Sequence, residues 1–224
     1  MNDITDYVIT HRDWPIVQDD LYRALCVGGF RKDGWLCAAD GENIEQYNDR
    51  LNELTGLYWI WKNTDIEYVG LSHYRRYFDN GGRLDEAAIR WLLQDVKYDI
   101  ILSRIRLPWS VHHNICMTCG GETARAAYDA FLETIRERQP EYAEAFEDVM
   151  CGSEMYRCNM FVTRREIMDR FCGWLFSFLT EAADKVDVSG LGFYGKRVCG
   201  YVGEAMWTVW LKRHRLNVYD MWIG

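Results

Sequence analysis

Proline is scarce, with three residues in a chain of 224, and no Pro/Ser-rich linker divides the sequence. A single domain over residues 1–224 suits that length, with two domains as the alternative. Long apolar runs are also missing. The richest stretch, Phe171–Leu179, is too short to cross a bilayer. The opening residues MNDITDYVITHRDW have no apolar leader core. The expectation is a cytoplasmic protein whose eight cysteines are reduced thiols, not a disulfide framework. Positive charge is in deficit. A net charge of −8 argues against a nucleic-acid partner, which needs a concentrated basic patch. Several signatures are absent too. No Walker-type loop occurs, no G-x-G-x-x-G follows an expected strand, and there is no G-x-S-x-G elbow. Nucleoside triphosphatase, dinucleotide-enzyme and serine-hydrolase readings lose their usual support.

Hydrophobic residues make up 49% of the chain and charged residues 27%, a balance that builds a substantial core and argues against general disorder. Ten tryptophans are an excess that serves either a core or flat platforms for sugar rings. Periodicity places strands at Asp6–Thr10, Ile66–Leu71, Tyr98–Leu102 and Met155–Thr163, with Leu216–Tyr219 as a last edge strand. Helices are expected at Asp19–Val27, Asn48–Asn63, Leu84–Asp95, Gly121–Arg138, Glu141–Met150, Arg164–Asp184 and Phe193–His214. Gly28–Gly41 reads as loop and Arg104–Thr118 as irregular. In Asn48–Asn63, Leu51, Leu54, Tyr58 and Trp61 form an apolar stripe, and Asn52, Thr55 and Trp59 fall on a more polar face. In Arg164–Asp184, Phe171, Trp174, Leu175 and Phe178 face either the core or a membrane surface.

Strands alternating with helices imply an α/β domain with a mostly parallel central sheet flanked by helices. Such sheets bind ligands at the carboxyl ends of their strands. Three polar groups fall there: His11-Arg12, the cluster His73-Tyr74-Arg75-Arg76, and Asn159. Two successive arginines are costly to bury without anions, and guanidinium binds phosphate bidentately, so Arg75 and Arg76 suit a diphosphate. The alternative is that one pairs with a core carboxylate and the other is solvated. Glu204 lies in the apolar segment GYVGEAMWTVWL, two helical turns from Arg197. It is either a general base in a pocket or part of a structural ion-pair network with Arg197. Asn159 either touches a ligand or caps a loop. Cys116-Met-Thr-Cys119 with His112 and His113 suggests zinc, but four ligands within eight residues crowd one tetrahedral ion and no second C-x-x-C completes a site. Reduced structural cysteines are the preferred reading, with a metal or redox centre as the rival.

Two blocks are long and unusual: Asn52-Glu-Leu-Thr-Gly-Leu-Tyr-Trp-Ile-Trp-Lys-Asn63, and Tyr68-Val-Gly-Leu-Ser-His-Tyr-Arg-Arg-Tyr-Phe78. They resemble the signature of a bacterial capsular and exopolysaccharide biosynthesis family catalogued as domain of unknown function 4422. The resemblance runs over most of the chain. It includes Thr10-His11, the Tyr98–Leu102 strand, the segment around Asn159-Met-Phe161, and Arg197-Val-Cys-Gly-Tyr-Val-Gly-Glu204. It implies a GT-A-like glycosyltransferase that moves a sugar, by analogy a hexose on uridine diphosphate, to a growing surface polysaccharide or lipid-linked glycan. The implied donor side is about residues 1–105, and the acceptor and catalytic side about 106–224. By this resemblance Thr10 and His11 lie by the nucleotide, and Asn52, Glu53, Thr55, Trp59 and Lys62 belong to the signature helix. His73, Tyr74, Arg75 and Arg76 then line the diphosphate, Asn159 faces sugar or acceptor, and Arg197 and Glu204 mark the catalytic end. Many GT-A enzymes hold Mn2+ or Mg2+ with Asp-x-Asp, which this chain lacks. No metal is then required, with arginine taking its electrostatic part and a Mn2+ or Mg2+ requirement as the alternative. The rival function is a non-catalytic nucleotide-sugar or glycan-binding subunit of an assembly complex. A lipid-linked acceptor makes peripheral contact with the inner face of the membrane useful, although the acidic charge does not favour it.

Overall fold

Residues Ile4–Thr10 form β1, an interior strand of the sheet buried along its whole length. Its alternating side chains feed two cores. Tyr7 and Ile9 join one large cluster, and Ile4 and Val8 join a second on the other face. In this computed structural model, which describes residues 3–79 and 81–224, the other strands are β2 (Tyr22–Cys26), β3 (Leu36–Cys37), β4 (Tyr68–His73), β5 (Ile100–Arg106), β6 (Glu154–Arg164) and β7 (Val218–Asp220). They form one seven-stranded sheet in the order β3-β2-β1-β4-β6-β5-β7. β1 pairs in parallel with β2 and β4, β2 with β3, and β5 with β7, while β6 runs antiparallel to both β4 and β5. The result is a single α/β domain with a mostly parallel sheet flanked by helices.

The helices are α1 (Asn48–Leu51), α2 (Leu54–Asn63), α3 (Glu86–Arg90), α4 (Val111–Cys119), α5 (Gly121–Arg138), α6 (Ala143–Cys151), α7 (Arg165–Leu175), α8 (Leu179–Asp184), α9 (Phe193–Lys196), α10 (Val198–Glu204) and α11 (Met206–Leu211). Several sequence expectations are corrected. The helix expected at Asp19–Val27 is strand β2, because parallel pairing with β1 outweighs local propensity. Asp19 Oδ1 accepts from the Leu21 and Tyr22 amides and turns the chain into it. Leu36–Cys37 adds an edge strand inside the expected loop, and the irregular 104–118 segment contains the end of β5 and α4, capped by Ser110 Oγ. The expected Leu84–Asp95 helix is α3 followed by a π-turn at Trp91–Asp95.

Three long helices are interrupted. Asn48–Asn63 breaks at Asn52, whose φ of 56° and ψ of −130° leave the helical region. Asn48 Nδ2 and Thr55 Oγ1 both donate to the Asn52 carbonyl and hold the break. The supposedly polar face of Asn52, Thr55 and Trp59 is therefore buried rather than solvated. Arg164–Asp184 is two helices, and Phe171, Trp174, Leu175 and Phe178 all lie in the core. Phe193–His214 is three short helices, parted at Arg197 and Ala205. The spacing G-x-G-x-x-G does occur, at Gly190, Gly192 and Gly195, but it joins α8 to α9 without a strand and makes no dinucleotide turn. Among the described residues no helix is long and apolar enough to cross a membrane.

Candidate active site

The carboxyl ends of β1 and β4, the start of α2, the middle of β6 and the α9–α10 segment meet around one cleft of about 470 Å3. That is the size of a small-molecule site. After β1 the chain turns at Thr10, which is fully buried. Its Oγ1 donates to the Arg12 carbonyl and accepts from the Arg12 amide. Thr10 thus shapes the loop without lining the cleft, and it presents His11 and Arg12 to it. Burial, then the charges of Arg12, Arg197 and Arg75, push the His11 pKa down. The neutral ring accepts from Arg12 Nε at 3.1 Å.

After β4, His73 and Arg76 exchange backbone hydrogen bonds and close a tight turn. Its residues His73, Tyr74, Arg75 and Arg76 all line the cleft. Tyr74 is buried against His11, with ring centroids 5.3 Å apart, and the Arg75 guanidinium lies 5.0 Å from its ring.

β6 supplies an irregularity. Its pairing with β5 shifts between Leu102 and Arg104, and within that bulge Cys158 and Asn159 take φ values of 66° and 53°. Such backbone costs about 1–3 kcal/mol per non-glycine residue and is held only where the surroundings enforce it. Here it aims both polar groups of one peptide segment at the site. The Cys158 amide donates to Glu204 Oε2 at 3.0 Å, and the Cys158 carbonyl lies 3.0 Å from His73 Nε2.

Glycines bring the last wall close. A Cβ on Gly200 would sit 2.0 Å from Asn52 Nδ2, and one on Gly203 would sit 2.4 Å from Leu54 Cδ1. Their absence lets α10 lie directly against the α1–α2 break, which places Glu204 on the same floor as Glu53 and His73.

The floor is strongly coupled. Glu53 Oε1 lies 3.5 Å from His73 Nε2, and Asn159 Nδ2 lies 3.4 Å from the same oxygen. Burial resists ionising Glu53, but the His73 charge and hydrogen bond outweigh it and hold the carboxyl below its ordinary range. Burial likewise opposes charge on His73, and Glu53 outweighs it and raises the pKa. The pair is read as carboxylate and imidazolium. Glu204 is left as the odd carboxyl. Burial, then the Glu53 charge, push its pKa up to about 7.

The rim has the opposite character. Arg12, Arg75, Arg76 and Arg197 line the cleft, and none forms an ion pair among the described residues. Four guanidiniums without ion pairs around one opening, in a chain of net charge −8, have the charge and donor geometry that suit a multiply charged anion. A second cleft of about 450 Å3 beside Arg104, Tyr156 and Lys212 differs. Asp220, Glu154 and Asp148 pair with its Arg104, Arg106 and Lys212.

Of the residues singled out in the sequence, His11, Asn52, Glu53, His73, Tyr74, Arg75, Arg76, Arg197 and Glu204 line one cleft, and Asn159 sits behind Glu53. Arg197 and Glu204 make no ion pair with each other; the Arg197 guanidinium lies over Phe193. Thr55, Trp59 and Lys62 do not reach the cleft. Thr55 holds the helix break, Trp59 Nε1 donates to the Asp40 carbonyl, and Lys62 lies over Trp61 near Glu42. Sequence reasoning gave no role to Asn48, Cys158, Phe193, Tyr194 or Tyr201. Tyr201 had a usable signal, because it lies between Arg197 and Glu204 at helical spacing. The Cys158 contribution is made by its backbone and has no sequence signal. Among the described residues no group of three or more His, Cys, Asp or Glu is arranged to hold a metal ion. Cys116 lies 3.8 Å from His112 within α4, and His112 packs on Tyr128.

The fold is thus an α/β sheet with an arginine-rimmed cleft at its strand ends, of a size and charge suited to a small anionic molecule. The chain belongs to the family described as domain of unknown function 4422, whose model matches residues 6–215. It is similar to a solved structure titled WbbM bifunctional glycosyltransferase in its apo state, with 26% identity and a TM-score of 0.81. That likeness covers 99% of this chain and 45% of the other, so the chain spans less than half of that protein's length. No curated protein matches the chain.

Proposed function

We propose that this protein is a glycosyltransferase that moves a sugar, by analogy a hexose on uridine diphosphate, to a growing surface polysaccharide or lipid-linked glycan. The observation that carries the proposal is the four unpaired arginines set over a floor holding one carboxyl with a pKa near 7. Likeness to a glycosyltransferase over nearly the whole chain supports it. Arg75 and Arg76, joined by Arg12, take the diphosphate. Glu204 accepts the proton of the acceptor hydroxyl as its oxygen bonds to the sugar's anomeric carbon. The bond from that carbon to the diphosphate oxygen breaks, and its electron pair leaves on the diphosphate, where guanidinium charge stabilises it. A single displacement of this kind inverts the anomeric centre. Burial, then the ionised Glu53 beside it, keep Glu204 a base with a pKa of about 7. Because guanidinium supplies the positive charge, no divalent metal is required in this reading. Donor recognition falls to the 1–105 half and the acceptor to the 106–224 half, at the cytoplasmic face of the membrane where a lipid-linked acceptor is available.

The test is a thermal-shift screen of nucleotide sugars and nucleoside diphosphates, with Mn2+ and with chelator, followed by assay of transfer. One donor should stabilise the protein selectively, and chelator should not remove the shift. Glu204→Gln should lose transfer and keep that shift. Donor binding without turnover in the unaltered protein, with every acceptor class tried, would favour a non-catalytic binding subunit.

A further inference from the structure

Phe193 and Tyr194 are 65% and 57% exposed, although both are large aromatic side chains, and both line the mouth of the cleft that contains Glu204. Their ring centroids are 5.3 Å apart and their planes lie at 82°, so together they offer two surfaces at nearly a right angle. The Arg197 guanidinium lies 5.0 Å from the Phe193 centroid and backs that ring with a cation. From this pair a row leads inward. Arg197, Tyr201 and Glu204 follow at helical spacing, and all three line the cleft. Exposed aromatic surface beside a polar cleft marks a ligand site. The donor diphosphate is matched by arginines on the strand ends, which leaves this α9–α10 wall for the second substrate.

We propose that Phe193 and Tyr194 form the acceptor subsite, and that it takes the terminal pyranose ring of a glycan. The C–H face of such a ring is apolar and stacks on an aromatic face, whose negative quadrupole attracts the polarised C–H bonds. Its hydroxyl edge then meets Arg197 and Tyr201, and one hydroxyl is delivered to Glu204. This inference rests on the glycosyl-transfer reading and names the acceptor class for it.

Saturation-transfer NMR on the full chain tests it, with methyl β-galactopyranoside, methyl β-glucopyranoside and methyl α-mannopyranoside as probes. Saturating the aromatic protons should mark the ring C–H protons of one face of at least one probe. Phe193→Ala and Tyr194→Ala should each weaken that binding by about tenfold or more, as truncation of an aromatic anchor does. Both should keep the melting temperature and the affinity for uridine diphosphate. Equal pyranoside binding in the variants, or no transfer to any probe, overturns the subsite. Loss of donor-sugar binding with pyranoside binding intact would assign the rings to the donor instead. Lost binding to phosphatidylglycerol vesicles, with pyranoside binding intact, would assign them to a membrane. Failure of every nucleotide to bind while pyranosides still do would sink the donor reading and uphold the subsite.

Discussion

Glu204 and Asp6 are both carboxyls whose burial raises their pKa, to about 7 and about 8, and they matter in different ways. Glu204 faces the cleft, so its ionisation belongs to activity. As the base it must be deprotonated. The transfer rate should therefore climb with pH up to about 7 and level off above it. Glu204→Gln should lose that rising limb and about 100- to 10,000-fold in rate. A rising limb that survives in the variant would place the titrating group elsewhere. Asp6 lies inside the sheet, where its Oδ2 accepts from Ser72 Oγ, and its ionisation belongs to stability. Its folded pKa exceeds the ordinary 3.8, so the native state holds a proton that the unfolded chain gives up. The stability from that proton is complete below about 4 and is lost as pH rises through about 8. Asp6→Asn keeps an acceptor for Ser72 and has no proton to lose. Urea midpoints across this range should fall for the native protein and stay flatter in the variant. At the rim, Arg75→Ala and Arg76→Ala should each weaken nucleoside diphosphate binding by about 1.5–3 kcal/mol, measured by titration calorimetry. The loss should shrink as salt rises, and Arg104→Ala, in the second cleft, should leave donor binding unchanged.

At the scale of elements, the site depends on two interruptions that face each other. Asn52 leaves the helical region, and Gly200 gives its side chain the space that a Cβ would occupy. Gly200→Ala should therefore lower stability by about 1–3 kcal/mol, because the added methyl meets Asn52 Nδ2 and the Arg50 carbonyl. Adding Asn52→Gly should recover much of the melting temperature, since it removes the clashing amide and suits the positive φ. A double variant no more stable than Gly200→Ala would show that Asn52 is not what the methyl meets. The β6 bulge is the matching device on the other side, presenting its Cys158 backbone to Glu204 and His73.

Over the whole molecule, an acidic chain concentrates unpaired positive charge at one opening. Donor association should therefore be steered by electrostatics and slow as salt increases. In the proposed reading guanidinium rather than a metal ion meets the phosphates, so the nucleotide-induced thermal shift should survive chelator. A shift that vanishes with chelator would show that a metal is needed after all. The likeness to the bifunctional relative covers 45% of that chain.

Much of this was legible in the residues themselves. β1, β4 and β6 show as short β-branched or apolar runs, and the polar cluster His73–Arg76 marks the end of β4 because two successive arginines are costly to bury within a strand. The resemblance carried by the 52–63 and 68–78 blocks agrees with the family match. Local periodicity could not find β2, whose strand state comes from pairing with β1, or the breaks at Asn52, Phe176–Phe178 and Ala205, which packing imposes on helical patterns. Nor could it show that Thr55, Trp59 and Lys62 share a helical segment with Asn52 and Glu53 but do not line the cleft. The sequence determined the chemistry on offer: arginines, a histidine and two glutamates. Tertiary structure alone decided that Glu53 pairs with His73 while Glu204 stays a near-neutral carboxyl. That choice depends on burial and on distances between segments about 150 residues apart, which no local pattern encodes.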